Sequence, residues 1–166
     1  MTSTPNSTDV FVIKLDTTGA TTWSKTFGGN GNQFGASISA AANGDVFIIG
    51  TMDGTMAFGP AMLSSNGNYD VFVAKLDGAT GAPKWGKNFG DGNVQYGRHV
   101  AATPDGNVAV TGQYEGNIDL GKGGLGNADS VDIYLAKLSG NDGSGMWAKA
   151  FGKNGDQVAY GIAADA

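Results

Sequence analysis

The chain has 166 residues, 29 of them glycine, with a formal net charge of −5 and no cysteine. These values fit one turn-rich domain and exclude disulfides, thiolate catalysis and cysteine-ligated zinc. The acidic balance, without any basic run, argues against nucleic-acid and anionic-membrane partners. No stretch approaches the ~20 apolar residues of a membrane helix, so we expect no membrane insertion. Residues 1–8 lack the basic and apolar regions of a signal peptide and are assigned as an N-terminal extension.

Three tryptophans, Trp23, Trp85 and Trp147, are spaced 62 residues apart and define a repeat. Each tryptophan begins the same Trp-x-Lys-x-Phe-Gly motif, and an apolar run that ends in Lys-Leu precedes each motif. The chain holds about 2.7 such repeats. A repeat of this length is typical of an array of small units that bury their apolar faces against one another.

Each repeat predicts four short strands, named A to D in their order within the repeat. Asn43-Gly44 and Asp105-Gly106 separate strands A and B, and such pairs are the strongest short signal for a hairpin. Glycine-rich turns separate strands C and D. In chain order the predicted strands are C 9–16, D 21–28, A 35–42, B 45–51, C 70–77, D 83–90, A 97–103, B 107–114, C 132–139, D 146–152 and A 159–166.

Strand C is apolar on both faces, as in the run from Val71 to Ala74, so each sheet must be covered on both sides. No segment has the apolar period of a helix. An all-β β-propeller of four-stranded antiparallel blades satisfies both observations. The predicted units are the extension 1–8, strands C and D of a partial blade at 9–28, complete blades at 29–90 and 91–152, and strand A of a partial blade at 153–166.

The repeat count bears on ring closure, because propellers have ~4–8 blades and one chain supplies fewer. Unclosed arrays expose apolar faces at both ends, and such surfaces drive association. We therefore expect a homo-oligomer, in particular a dimer in which the last strand A of one copy joins strands C and D of another. The alternative, that these residues belong to a longer repeat protein, stays open.

With these motifs in view, the repeat resembles the SBBP (seven-bladed β-propeller) repeat of bacterial surface and secreted proteins. The resemblance is carried by Asp70–Asp77, Trp85–Gly90, Gly106–Gly112 and Gly161–Asp165. It implies a β-propeller, an extracellular or cell-surface location in bacteria, and a binding or scaffolding function. The family has no shared catalytic residues to carry over to this chain.

Strand direction places the D–A loops (28–34, 90–96 and 152–158) and the B–C connections (53–69 and 115–131) at one end of the predicted propeller. Long loops on a rigid scaffold usually carry function, so this end is the predicted binding face for a glycan or a protein. Alternatively, its polar side chains cap turns, and the recurrent glutamine ties one blade to the next. The candidate ligand-binding residues are Asn30, Asn32, Gln33, Phe34, Asn93, Gln95, Tyr96, Asn154, Asp156 and Gln157.

Catalysis has little support in the sequence. The single histidine, His99, has no placed serine or carboxylate partner, and no nucleophile-elbow, P-loop or zinc-protease motif is present. Asp129, Asp132, Asp142 and Asp156 lie in loops without the spacing of a calcium site. We predict no enzyme activity, no cofactor and no metal. A purely structural repeat segment is the alternative function, and a hydrolase or lyase is the third.

Overall fold

The computed structural model describes residues 7–126 and 128–165, without the side chains of 128 and 129. Most of the extension 1–8 and the side chain of Asp129 lie outside the described residues. Within them there are twelve strands and no helix, so the all-β prediction is confirmed, and no helix is long and apolar enough to cross a membrane. The strands are β1 (Val10–Leu15), β2 (Thr21–Phe27), β3 (Gln33–Ala40), β4 (Val46–Met52), β5 (Thr55–Phe58), β6 (Ala61–Ser64), β7 (Asp70–Leu76), β8 (Pro83–Phe89), β9 (Gln95–Ala102), β10 (Val108–Gly116), β11 (Ala128–Leu138) and β12 (Gly145–Phe151).

The strands form four antiparallel sheets. The central sheet has the order β3-β4-β7-β8, and the C-terminal sheet has the order β9-β10-β11-β12. The N-terminal hairpin consists of β1 and β2, and a small hairpin of β5 and β6 lies in the connection between β4 and β7. Ten predicted strands, from 9–16 to 146–152, are therefore present within a few residues of their expected bounds.

Two segments differ from the expected strand pattern. The connection 53–69 contains β5 and β6, because Met56, Phe58 and Leu63 are buried in the core and hold this segment as a hairpin. The segment 159–165 forms no strand pair among the described residues. Its counterparts β3 and β9 each pair with the strand that follows them, β4 and β10.

The central sheet is buried on both faces, as the apolar pattern of strand C predicts. On one face, Val71 and Val73 belong to a core shared with the C-terminal sheet. On the other face, Phe72, Ala74 and Leu76 pack in a core shared with the N-terminal hairpin and the β5-β6 hairpin. All seven residues of β7 are buried, so this strand lies at the centre of the molecule.

Tryptophans of strand D form hydrogen bonds between neighbouring sheets. The indole nitrogen of Trp23 in the N-terminal hairpin donates to the carbonyl of Gly78 at 3.2 Å. Trp85 of the central sheet donates to the carbonyl of Gly140 at 3.1 Å. The donor and acceptor are 55 residues apart in both cases, so the same contact is built twice along the chain.

Lysines of strand C donate to the same two carbonyls, from Lys14 at 2.6 Å and from Lys75 at 2.9 Å. Lys75 is buried, lies 5.1 Å from the centre of the Phe47 ring, and forms an ion pair with Asp45 at 3.1 Å. Lys84 pairs with the other oxygen of Asp45 at 2.6 Å. Burial alone would raise the pKa of Asp45, but the two lysines and Asn43 hold it at about 2.

Candidate functional site

The D–A loops and the B–C connections lie together at one end of the sheets. The main-chain nitrogen of Asn32 donates to Oδ1 of Asp53 at 2.6 Å, and its side-chain amide donates to Oδ2 at 3.2 Å. In the C-terminal sheet, the main-chain nitrogen of Asn117 donates to Oδ2 of Asp91 at 2.9 Å. Each pair joins one loop that precedes a strand A to one connection that follows a strand B.

The recurrent glutamines tie sheets and loops together. The main-chain nitrogens of Gln33, Gln95 and Gln157 donate at 2.6–2.7 Å to the carbonyl beside the start of strand C in the preceding sheet. The side chains of Gln33 and Gln95 are fully buried and donate to the carbonyls of Asp53 and Glu115 at 3.2 and 3.1 Å. These contacts favour the tying role of the glutamines, because a ligand at the surface does not reach the two buried amides.

Most of the other polar candidates stabilise the loops. The amide of Asn93 donates to Asp91 at 3.3 Å, and Asp156 accepts from a main-chain nitrogen of β11 at 3.3 Å. The carbonyl of Asn30 accepts a hydrogen bond from the first residue of β5 at 2.8 Å. Asn154 is exposed on the last loop. The hydrogen bonds of the polar candidates are thus made mostly to other loop residues.

A cavity of about 750 Å³ opens at this end, between the edge strands β3 and β9 and the final segment. Its walls are residues 34–36, 96–99 and 158–160, together with Thr51 and Tyr69. Phe34 and Tyr96 are the sequence-predicted candidates that line it. A volume of this size lies within the ~300–1,000 Å³ of small-molecule sites, so the cavity has room for a ligand.

Three aromatic rings form a continuous surface on one side of the cavity. The ring of Tyr69 lies 6.3 Å from that of Phe34 and 6.2 Å from that of Tyr96, with the two tyrosines inclined by 26°. The guanidinium of Arg98 lies 4.9 Å from the centre of the Tyr96 ring. Its Nε donates to Oε1 of Gln113 at 2.6 Å. This hydrogen bond and the ring contact fix the orientation of the arginine.

A β-bulge places Arg98 in the cavity wall. In the pairing of β9 with β10, His99 lies opposite Thr111 and Gly97 lies opposite Gly112, so Arg98 has no partner in the ladder. A bulge bends its strand and re-aims the extra side chain. The bulge accounts for two consecutive residues, Arg98 and His99, lining one cavity although neighbouring strand residues normally point to opposite faces.

The cavity wall carries positive charge. Arg98, the one arginine of the chain, supplies this charge, and among the described residues no aspartate or glutamate lines the cavity. Beneath the wall, the hydroxyl of Tyr134 donates to the carbonyl of Tyr96 at 3.2 Å. Complete burial raises the pKa of Tyr134, so its hydroxyl stays neutral and remains a donor to β9.

Sequence reasoning missed Tyr69, Arg98 and His99 as members of the site. Each of them departs from the repeat. Tyr69 stands where the other repeats have threonine and valine, Arg98 where they have alanine and tyrosine, and His99 where they have serine and glycine. These departures were available in the sequence, but only the fold places all three around one cavity.

Asp142, one of the aspartates in the glycine-rich loops, stabilises a turn. Oδ1 of Asp142 accepts hydrogen bonds from the nitrogen and the hydroxyl of Ser144 at 3.0 and 2.8 Å, which lower the pKa of Asp142 to about 2. Among the described residues, no group of three or more histidine, aspartate or glutamate side chains is placed to hold a metal ion.

Apolar side chains remain exposed at both ends of the array. Phe11, Ile13 and Leu15 of the N-terminal hairpin are 54%, 45% and 51% exposed, and the first two line a groove of about 310 Å³. At the other end, Trp147 and Phe151 of the C-terminal sheet are 40% and 50% exposed. These two faces, called the N-face and the C-face below, are large apolar surfaces without a partner in the described part of the chain.

Neither a scan of protein-family models nor a search of the curated proteins finds a match for this chain. The resemblance to the SBBP repeat therefore stays a prediction.

Proposed function

We propose that this chain is a non-enzymatic binding and scaffold module of the β-propeller type, exported to the bacterial surface or beyond. It binds a glycan or a protein through the face of the D–A loops and B–C connections, and it associates with a second copy of itself. Two sheets of identical strand order, joined by recurrent tryptophan and lysine hydrogen bonds, support the propeller architecture.

The observation that carries the binding function is the aromatic cavity at that face. Phe34, Tyr69 and Tyr96 present their rings to a concave space of about 750 Å³. Ligand sites are concave, mostly apolar and lined by a few placed polar groups, and the cavity has each of these properties.

A glycan array, followed by calorimetry on each hit, tests the binding function. Tyr96→Ala removes the ring between Tyr69 and Arg98, and we expect it to weaken binding about tenfold, because a stacked aromatic contributes ~1 kcal/mol or more. Met62→Ala is the matched control, since Met62 is 66% exposed on β6, outside the cavity. Equal binding by wild type and Tyr96→Ala would rule out the cavity as the site.

Self-association is supported by the pairing already present inside the chain. The N-face residues Phe11 and Leu15 correspond to Phe72 and Leu76, which are fully buried beneath the preceding hairpin. At the C-face, Trp147 corresponds to Trp85 and to Trp23, both of which bond to the next sheet. The C-face of one copy is thus complementary to the N-face of another. A head-to-tail contact between copies would repeat the contact that already joins neighbouring sheets within the chain.

Light scattering after size exclusion, over a concentration series, tests the association. We expect a dimer or a higher state, and Trp147→Asp and Phe11→Asp each shift it to monomer, because a charge is buried without a partner. Met62→Asp is the control and leaves the mass unchanged. A monomer of wild type throughout the micromolar range would overturn this part of the proposal.

The purely structural alternative is distinguished by combining the two experiments. A chain that assembles through its end faces yet binds no glycan and no protein at the cavity is a structural repeat. The cavity is the observation that favours the binding module over this alternative, because packing alone does not require an open aromatic wall with a fixed arginine.

A further inference from the structure

We propose that the cavity recognises a carboxylate-bearing saccharide, such as a uronic acid, with Arg98 binding the carboxylate and the aromatic rings binding the sugar face. This inference rests on the proposed binding function and names the ligand class of the same site. Three observations support it: the positive charge of the cavity, the N–H donors of Arg98 that remain for a ligand, and the aromatic wall.

The charge of the cavity is opposite to that of the chain. The chain carries a formal −5, counted with a neutral histidine, yet its one arginine lines this cavity. Among the described residues no carboxylate lines the cavity, so none of them neutralises the charge of Arg98 there. A small anion in the cavity is attracted by the adjacent Arg98. The acidic residues that lie more than about 10 Å away repel it only weakly, because salt at ordinary concentrations screens charges at that distance.

Arg98 has donors left for a ligand. A guanidinium has five N–H donors, and within the described part of the chain the hydrogen bond to Gln113 occupies Nε. The ring of Tyr96, 4.9 Å away, holds the guanidinium plane in place. A preoriented guanidinium binds a carboxylate through two parallel hydrogen bonds, and it loses less side-chain entropy than a free one on binding.

The aromatic wall favours a carboxylate-bearing saccharide over anions that have no apolar face. Phe34, Tyr69 and Tyr96 line the cavity beside Arg98, and the ring centroid of Tyr69 lies 6.3 Å from that of Phe34 and 6.2 Å from that of Tyr96. An apolar wall with one charged corner fits a ring that has an apolar face and one carboxylate. A nucleic acid is disfavoured, because its dense phosphates are repelled by the net negative charge of the rest of the molecule.

Calorimetry with matched pairs of saccharides tests the inference on the intact chain. The probes are oligomers of galacturonate, glucuronate and mannuronate and sialyllactose, each as the free acid and as its uncharged methyl ester. We expect at least one acid to bind at least tenfold more tightly than its ester, and added salt to weaken the acid and not the ester.

Variants assign the effect to one residue. Arg98→Gln removes the charge and should bind acid and ester equally, whereas Arg98→Lys should retain part of the preference because it keeps the charge without the planar fork. Lys122→Gln is the matched control, since it removes one exposed positive charge outside the cavity and leaves the preference unchanged.

Each other outcome contradicts the inference in a distinguishable way. If an ester binds as tightly as its acid, carboxylate recognition is wrong and glycan binding stands. If the preference survives in Arg98→Gln, the acid binds elsewhere. If no acid binds while neutral glycans or an acidic peptide such as hexaglutamate do, the ligand class is wrong. If no saccharide and no peptide binds, the proposed binding function fails as well.

Discussion

Replacement of Asp45 by asparagine should destabilise the folded chain by about 2–4 kcal/mol at neutral pH. Asp45 is 4% exposed and accepts from Lys75 and Lys84 at 3.1 and 2.6 Å. Its pKa falls from 3.8 to about 2 in the folded chain, which corresponds to about 2 kcal/mol at ~1.4 kcal/mol per pKa unit. Loss of the carboxylate also leaves the buried ammonium of Lys75 without its counter-ion, which adds to the cost.

The pH dependence identifies the charge as the cause. The folded pKa of Asp45 is below its unfolded value, so its stabilisation is complete above the unfolded pKa of 3.8 and is lost as the pH falls towards about 2. The free energies of unfolding of wild type and Asp45→Asn should therefore show their largest difference at neutral pH, and this difference should shrink as the pH falls from 3.8 towards 2. Urea unfolding followed by tryptophan fluorescence at several pH values measures both free energies.

A surface carboxylate provides the control for this experiment. Asp165 is exposed in the final segment, and Asp165→Asn should change the unfolding free energy by less than ~0.5 kcal/mol. If the two variants lose the same stability, the buried ion pair does not stabilise the central sheet. If the loss in Asp45→Asn persists unchanged at pH 2, lost packing rather than lost charge is responsible, and the electrostatic reasoning is refuted.

Two further pairs of substitutions, each a test and its control, probe the contacts between and within sheets. Gly90→Ala should cost about 1–3 kcal/mol, because its added Cβ would lie 2.4 Å from the buried carboxylate of Asp70, whereas Gly92→Ala should be near neutral, since nothing lies within 4 Å of the added atom. Equal unfolding free energies for the two would contradict the steric reasoning. Trp85→Phe should lose about 1 kcal/mol with its hydrogen bond to the next sheet, and Trp147→Phe in dilute, monomeric protein should lose less. Thermal unfolding of both checks this, and an equal loss would show that the indole hydrogen bond is not the cause.

The strands that form the sheets could be predicted because their signals are local. Gly44 and Gly106 have φ values of 84° and 79°, as the Asn-Gly and Asp-Gly turns between strands A and B require. The continuous apolar run of β7 gives one face to each of two cores, and this pattern depends only on neighbouring residues. Elements set by short-range chemistry were therefore found within a few residues of their bounds.

The β5-β6 hairpin was not predicted, because its strands have four residues each and their turn is short. Its formation depends on tertiary burial, since Met56 and Phe58 reach a core that the N-terminal hairpin and the central sheet complete. The cavity could not be predicted as a whole for a similar reason. Tyr69 and Tyr96 are 27 positions apart in sequence, and they meet because two sheets pack together.

The positions at which the repeats agree and those at which they differ have different physical roles. The glycine that ends each Trp-x-Lys-x-Phe-Gly motif is constant, and at Gly90 and Gly152 an added Cβ would lie within 2.5 Å of the side chains of Asp70 and Asp132, which are equivalent positions of the repeat. Agreement at such positions follows from packing and carries no information about ligands. Arg98 and Tyr69 differ from their counterparts, and the sheets do not need them, because the equivalent positions elsewhere hold small or unrelated side chains. Positions that packing does not constrain can therefore carry residues chosen for binding. Arg98 and Tyr69 occupy two such positions, and both line the one cationic, aromatic cavity.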